Sequence, residues 1–241
     1  MKPIGIIRTC FPSKFGIPRQ PGLVPSAHGV IEMDPHNEIT SSLRGLEQFS
    51  HLWLIFLFHQ TKSKKWKPSV RPPRLGGAER IGVLASRSPH RPNPIGMSAV
   101  ELISVELPSS AKQGARITVA GVDLMDGTPI LDIKPYLPYS DSIPNARAGW
   151  ASEPLKRHEV VWSELALHAL DALATPPRFK DLAQELLSLD PRPAFQQRRA
   201  PLGHESSNGL DYGMDLQGFD VKWRIFSGKI IVENVLVKTE P

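Results

Sequence analysis

The sequence predicts a mainly β fold, a barrel or sandwich over residues 1–140 followed by a small α+β unit. Three observations predict it. Apolar runs of strand length recur through the first part of the chain, separated by the Gly, Pro, Ser and Asn clusters that end strands. Crossover helices are nearly absent there, which argues against a doubly wound parallel sheet. From about Leu155 the apolar spacing turns helical before a closing hairpin.

In chain order, segments 4–8, 28–33, 52–58, 81–85, 97–107, 116–124 and 130–133 read as strands, rich in Ile, Val, Leu and Phe. Segments 98–106 and 116–124 partly alternate apolar and polar, with a loop at 108–114 between them. One short helix is predicted over 41–49, where Leu43, Leu46 and Phe49 share a face. Farther on, Leu165, Ala169 and Ala172 predict a helix over 163–173; Leu182, Leu186 and Leu189 predict another over 179–189. Thr175-Pro176-Pro177 separates the two. After the loop 190–195 and a polar stretch at 196–209, segments 219–226 and 230–237 form a hairpin turning at Ser227-Gly228. The expected organisation is a domain over 1–150 and a smaller one over 155–241, near the lower size limit for folding alone and therefore leaning on the first.

Charge is concentrated rather than spread. Residues 62–91 hold nine Lys or Arg against one acid, Glu79, so this segment is +8 while the whole chain is +5 and the remainder −3. A polyanionic partner is expected there. Trp66 within the lysine run 62–67 adds a stacking surface to phosphate contacts, which favours nucleic acid. No apolar run reaches membrane-spanning length, the N-terminus turns polar too early for a secretory signal, and the single Cys10 allows no internal disulfide. A soluble cytoplasmic protein is expected, with no membrane partner. No G-x-G-x-x-G, Walker A or G-x-S-x-G pattern occurs, and the eight histidines lack ligand spacing, so no metal is expected.

Four polar loops lie between the strands: Pro18-Arg19-Gln20-Pro21-Gly22, His59-Gln60, the segment from Arg87 to Gly96, and Asp126-Gly127-Thr128-Pro129 with the following Asp132 to Tyr136. Pro89, Pro92 and Pro94 stiffen the third and lower the entropy of presenting Arg87, Arg91 and Asn93. Such loops build ligand pockets; the alternative is a tight corner whose arginines cap carbonyls. In Asp190-Pro-Arg-Pro-Ala-Phe195, two prolines clamp Arg192 beside an aromatic residue, which suits a base or carboxylate contact or merely ends a helix.

Arg87-Ser-Pro-His-Arg-Pro-Asn-Pro-Ile-Gly-Met-Ser98, together with Pro18-Arg19-Gln20, His51-Leu52-Trp53, His59-Gln60, 71–77, 126–129 and 132–136, resembles the TsaA/TrmO family of S-adenosylmethionine-dependent tRNA methyltransferases. The Asp190-Pro-Arg-Pro loop and the closing hairpin resemble the C-terminal domain of its bacterial members. The resemblance implies a compact single-sheet β-barrel that binds the cofactor, with a small α+β C-terminal domain aiding tRNA recognition. It also implies a homodimer with the active site near the subunit interface. The reaction implied is N6-methylation of N6-threonylcarbamoyladenosine, next to the anticodon of threonine tRNAs. The cofactor S-adenosylmethionine is assigned to Pro18, Arg19, Gln20, His59, Gln60, Arg87, Asn93, Gly96, Asp126, Gly127, Thr128 and Pro129. Arg91, Asp190 and Arg192 are assigned to catalysis, the two arginines as grips for the threonyl carboxylate. Phe195 stands where relatives often carry Tyr, which removes a hydroxyl and keeps a stacking face. Two other readings are a non-catalytic RNA-binding β-barrel and a methyltransferase acting on a small anionic metabolite; the second leaves the +8 segment unexplained.

Overall fold

The computed structural model describes residues 1–61, 66–110 and 113–238. Six strands close into one antiparallel barrel: β1 (Gly5–Thr9), β2 (His28–Met33), β3 (His51–Leu57), β6 (Ile95–Glu106), β7 (Arg116–Ala120) and β8 (Thr128–Pro135). Their spatial order is β1-β2-β7-β6-β3-β8, and β1 pairs with both β2 and β8, which completes the closure. Alternation decides what fills the interior. Ile7, Ile31, Leu52, Leu54, Phe56, Val100, Ile117, Val119 and Ile130 point inward and are buried. Register shifts between Leu102 and Ser104 of β6 and between Ile55 and Phe56 of β3 are bulges of the kind that bend strands around a small barrel.

Antiparallel closure has a consequence for position. β1, β3 and β7 finish at the end of the barrel where β2, β6 and β8 begin. The connections 10–27, 58–94 and 121–127 therefore emerge together. The predicted polar loops lie on or beside these connections, except that 132–136 runs along β8 to the opposite end, where the Tyr136 amide donates to the His51 carbonyl. The opposite end carries 34–50 and 107–115.

Several predicted elements differ. The helix over 41–49 is a short helix α1 (Asn37–Ser42) followed by a single 3-10 turn, Leu46–Gln48. Gly45, at a φ of 87°, breaks the run between them. Segment 81–85 is no barrel strand: β5 (Ile81–Gly82) pairs only with β4 (Ser69–Val70) and passes into a 3-10 turn. β7 stops at Ala120 because Gly121 takes a φ of 74°.

A four-residue helix, α2 (Pro138–Asp141), opens the segment leading to the second unit. That unit is a four-stranded sheet in the order β10 (Asp211–Leu216), β11 (Phe219–Phe226), β12 (Lys229–Val237), β9 (Val160–Trp162). Helices α3 (Glu164–Ala172) and α4 (Phe179–Ser188) flank it, with a third helix, α5 (Ala194–Arg199), in the stretch expected to be irregular. α4 buries Phe179, Leu182, Ala183, Leu186 and Leu187, and Phe179 meets Phe219 edge-on at 5.2 Å. The unit docks on the loop-bearing end of the barrel. The Ser26 amide and hydroxyl both donate to the Glu185 carboxylate (2.9 and 3.1 Å), and Arg157 Nη2 donates to the Leu23 carbonyl at 2.6 Å.

Gly96 illustrates how tightly the barrel is filled. It pairs with Phe56 across β3 and β6, and a Cβ there would stand 2.3 Å from two Phe56 ring carbons. Gly96→Ala should destabilise the protein by about 1–3 kcal/mol. Phe56→Leu should recover part of that loss in the double variant. Urea unfolding of the four proteins in the cycle checks both; purely additive losses would show that the ring does not occupy the space.

Candidate active site

The first connection, 10–27, meets the C-terminal unit across a cleft of about 270 Å³, lined on one side by Lys14, Phe15, Pro18 and Arg19 and on the other by Asp190, Pro191, Arg192 and Pro193. Residues assigned from separate parts of the sequence are thus brought together. Loss of solvation lowers the Arg19 pKa; Asp190 pulls it upward and Arg74 downward. The Asp190 carboxylate and the Arg19 guanidinium therefore interact across the cleft.

Arg192 has a different place from the one expected. Its side chain is fully buried. Nε and Nη2 grip the two Asp190 carboxylate oxygens at 2.7 and 2.8 Å, while Nη1 donates to the Ala200 carbonyl at 3.0 Å and to the Tyr212 hydroxyl at 3.2 Å. Burial alone would depress its pKa; the bonds to Asp190 and Tyr212 outweigh it and raise the value. With those donors engaged, Arg192 holds no free fork for a threonyl carboxylate, so its direct grip is corrected to a buttressing role. Gln197 Nε2 adds bonds to the Asp190 and Arg192 carbonyls at 2.8 and 2.9 Å. Together they hold Asp190, whose φ of 48° is unusual for a non-glycine residue, at the cleft wall.

The proline-rich loop is joined to the first loop by a hydrogen bond from Arg87 Nη1 to Gln20 Oε1. Arg91 turns back on its own loop: Nη1 donates to the Ser86 carbonyl at 2.6 Å and to the Val83 carbonyl at 3.3 Å. That is the carbonyl-capping arrangement, although Nε and Nη2 have no partner among the described residues. Asn93 is exposed and its carbonyl accepts from the Ile95 amide at 2.7 Å. Gly96 lies under Phe56 and has no surface for a cofactor, so its assigned contact is corrected to a packing role.

A third group surrounds Asp126. The Thr9 amide donates to Asp126 Oδ1 at 2.9 Å, and Arg8 stands 3.6 Å from Oδ2. Desolvation lowers the His59 pKa, with Asp126 opposing and Lys14 reinforcing the shift, which favours the neutral imidazole. Lys14 Nζ donates to the Gln60 carbonyl at 2.8 Å and also lines the cleft, which links this group to the first. The Gly127 amide bonds the Ile7 carbonyl, and the buried Thr128 hydroxyl bonds the Met125 carbonyl at 2.6 Å. Pro129 pairs with Ile6. These three residues fix the loop to β1. Cys10 is desolvated and its thiol is pushed up to about 12, as expected of an inert strand-end residue. Among the described residues no group of three or more His, Cys, Asp or Glu could hold a metal ion, and no helix is long and apolar enough to cross a membrane.

Comparison with known proteins agrees with this architecture. The tRNA-methyltransferase O N-terminal domain matches residues 6–142, and the TrmO C-terminal domain matches 156–238. The chain belongs to the tRNA-methyltransferase O family. It is 45% identical over 225 residues to the tRNA (adenine(37)-N6)-methyltransferase of Escherichia coli K12, covering 92% of this chain and 91% of that one. A putative S-adenosylmethionine-dependent methyltransferase of Pseudomonas aeruginosa PAO1 is also 45% identical, with the same coverage. The crystal structure of TrmO from Pseudomonas aeruginosa superposes with a TM-score of 0.75 at 39% identity, covering 97% of this chain and 96% of that one.

In this TrmO family member, the sequence reading missed Lys14, Ser98 and Asp123. Ser98 is the polar inward residue of β6, and its hydroxyl donates to Asp123 Oδ1 at 2.6 Å. Burial pushes the Asp123 carboxyl from its ordinary 3.8 to about 6, against the Ser98 bond and the Arg87 charge, which lower it. An acid within the apolar run 117–125 was the available signal. Its folded-state pKa is raised, so the folded protein holds the proton more strongly and stability falls as pH rises from about 4 to about 6. Asp123→Asn should lack this loss. Its stability relative to wild type should grow by up to roughly 3 kcal/mol across that window, measured by urea unfolding at fixed ionic strength. A pH-independent difference would contradict the burial of this carboxyl.

Proposed function

We propose that the chain is an S-adenosylmethionine-dependent methyltransferase that acts on tRNA, at the N6 nitrogen of N6-threonylcarbamoyladenosine beside the anticodon of threonine tRNAs. The supporting observation is the convergence of the three connections at one barrel end with the Asp190 loop, inside the family just described. The polar groups suit the cofactor. Arg19, Lys14 and Arg87 offer positive charge for its carboxylate, and Gln20, Gln60 and Asp126 offer acceptors and donors for ribose and adenine.

When bound, the cofactor supplies an electrophilic methyl group on a sulfonium. The acceptor N6 already carries a carbonyl substituent and is a weak nucleophile. On transfer the S–CH₃ bond would break as the N–CH₃ bond forms, the N–H proton would pass to water, and the cofactor would be left as a neutral thioether. The residues act mainly by alignment. Arg87 and Gln20 lock two loops together; the Asp190–Arg192 pair fixes the facing wall. The free edge of Arg91 is the candidate grip for the threonyl carboxylate. The C-terminal unit aids tRNA recognition, and the protein works in the cytoplasm. A homodimer is also part of the proposal. Leu84, Met97, Tyr139 and Ile143 are 73, 57, 87 and 71% exposed, and Trp150 and Trp53 tie the 137–150 segment to the barrel beside them. Such apolar exposure suits a second copy.

The test is mass spectrometry of nucleosides from threonine tRNA incubated with the protein and the cofactor. One methyl added to threonylcarbamoyladenosine is the expected product. Cofactor binding without any such product would overturn the substrate assignment. Arg87→Ala should weaken cofactor binding by about tenfold or more, the cost of a charged hydrogen bond. Arg91→Ala should weaken it less than Arg87→Ala does, through the loop it orders, and lower turnover. Equal loss of cofactor affinity in both variants would remove the division of roles.

A further inference from the structure

Beside the cleft, positive charge gathers from three separate elements. Arg74 lies in the 3-10 turn Pro73–Leu75, near enough to Arg19 for its charge to oppose protonation there. Arg198 of α5 lies along the backbone of Gly76 and Gly77. A Cβ on Gly77 would stand 2.7 Å from Arg198 Nη1, and one on Gly76 would stand 3.7 Å from its Cδ. Gly77 also has a φ of 66°, so both its conformation and its missing side chain admit the guanidinium. Ala194, one turn earlier on α5, faces the same glycine at 4.0 Å from that Cβ position. Arg199 follows on α5 and is exposed. Among the described residues, Arg19, Arg74, Arg198 and Arg199 form no ion pair. Phe195, on the first turn of α5, is 60% exposed.

Asp190 offsets the charge of Arg19 alone among them; the other guanidiniums repel one another, so the folded surface gains stability when a polyanion covers them. An exposed aromatic beside them gives every nucleobase a stacking face. We propose that the seam between the 71–77 loop and α5 is the RNA track: Arg74, Arg198 and Arg199 hold backbone phosphates, and Phe195 stacks on an unpaired base. The track runs to Arg19 at the cleft wall. It belongs to neither structural unit alone, because the glycine turn comes from the barrel's loop and Arg198 and Arg199 from the C-terminal unit. This inference rests on the reading of tRNA as substrate, and it adds the path by which the RNA reaches the cleft.

The experiment is fluorescence-anisotropy binding of a threonine-tRNA anticodon stem–loop to the full chain over a potassium chloride series, without cofactor. Replacing Arg74, Arg198 and Arg199 together with Gln should weaken binding and flatten the log Kd against log salt line by about 2, at 0.7–0.9 per lost phosphate. Phe195→Ala should weaken binding by about fivefold or more and leave the slope unchanged, since stacking releases no counterions. Gly77→Ala should act through Arg198, so its loss should not add to that of Arg198→Gln. Should Gly77→Ala fail to fold, the triple Gln variant and Phe195→Ala still decide. An unchanged slope in the triple variant, with wild type binding RNA and methylating it, overturns the seam alone and leaves those arginines to an acidic protein partner. Absence of any salt-dependent RNA binding by wild type overturns the tRNA reading on which the seam rests.

Discussion

Closure of the six-stranded antiparallel sheet is the constraint from which the site follows. Once β1 hydrogen-bonds to both β2 and β8, strand direction alternates around the ring, and the connections leaving β1, β3 and β7 must emerge at one end. Residues as distant as Gln20 and Arg87 meet there because the ring has no edge along which a loop could be displaced. The interior is filled by branched and aromatic side chains, and the polar groups gather on the loops at its mouth. The C-terminal unit completes the enclosure by docking on that end through Glu185 and Arg157.

The loops are held by polar interactions that cost solvation and return geometry. Arg192 and Asp190 are both nearly inaccessible, and a pair of that kind adds little net stability compared with apolar packing, yet removing either partner strands a buried charge. What the pair supplies is a fixed wall, reinforced by Gln197 and by Tyr212 stacked on Trp223 at 4.5 Å. Arg91 does similar work in the proline-rich loop, satisfying the Ser86 and Val83 carbonyls so that the backbone stays ordered where prolines have removed donors. Asp123 differs: its carboxyl is retained in the barrel mouth beside Ser98 at a cost in stability above about pH 6.

Much of the barrel was legible because its strands are apolar runs of strand length bounded by Gly, Pro, Ser and Asn, two of them partly alternating. The polar loops were legible from proline and glycine punctuation and from their family-like order. What the sequence hid depends on tertiary pairing. β9 is three residues long and is held by lying parallel to β12, whereas β10 alternates Tyr212, Met214 and Leu216 with Asp211, Gly213 and Asp215, a period-2 signal that its position after a polar stretch obscured. The saturation of Arg192 was equally invisible, since Ala200 and Tyr212 lie eight and twenty residues away and nothing local assigns them to it. Gly96 reads as part of a rigid polar loop, and only its register opposite Phe56 shows why it lacks a side chain. Three of the four lysines in the run 62–67 (Lys62, Lys64 and Lys65) lie outside the described residues; Lys67, exposed, is tied by its amide to the His90 carbonyl at 3.2 Å.

A single barrel end carries the whole proposed ligand site. Hydrogen–deuterium exchange of the full chain with and without S-adenosylmethionine tests it most directly. Protection on binding should appear in 10–27, 58–94 and 121–127, while 34–50 and 107–115 at the opposite end exchange as before. Protection concentrated at the opposite end, or spread equally over both, would contradict the claim.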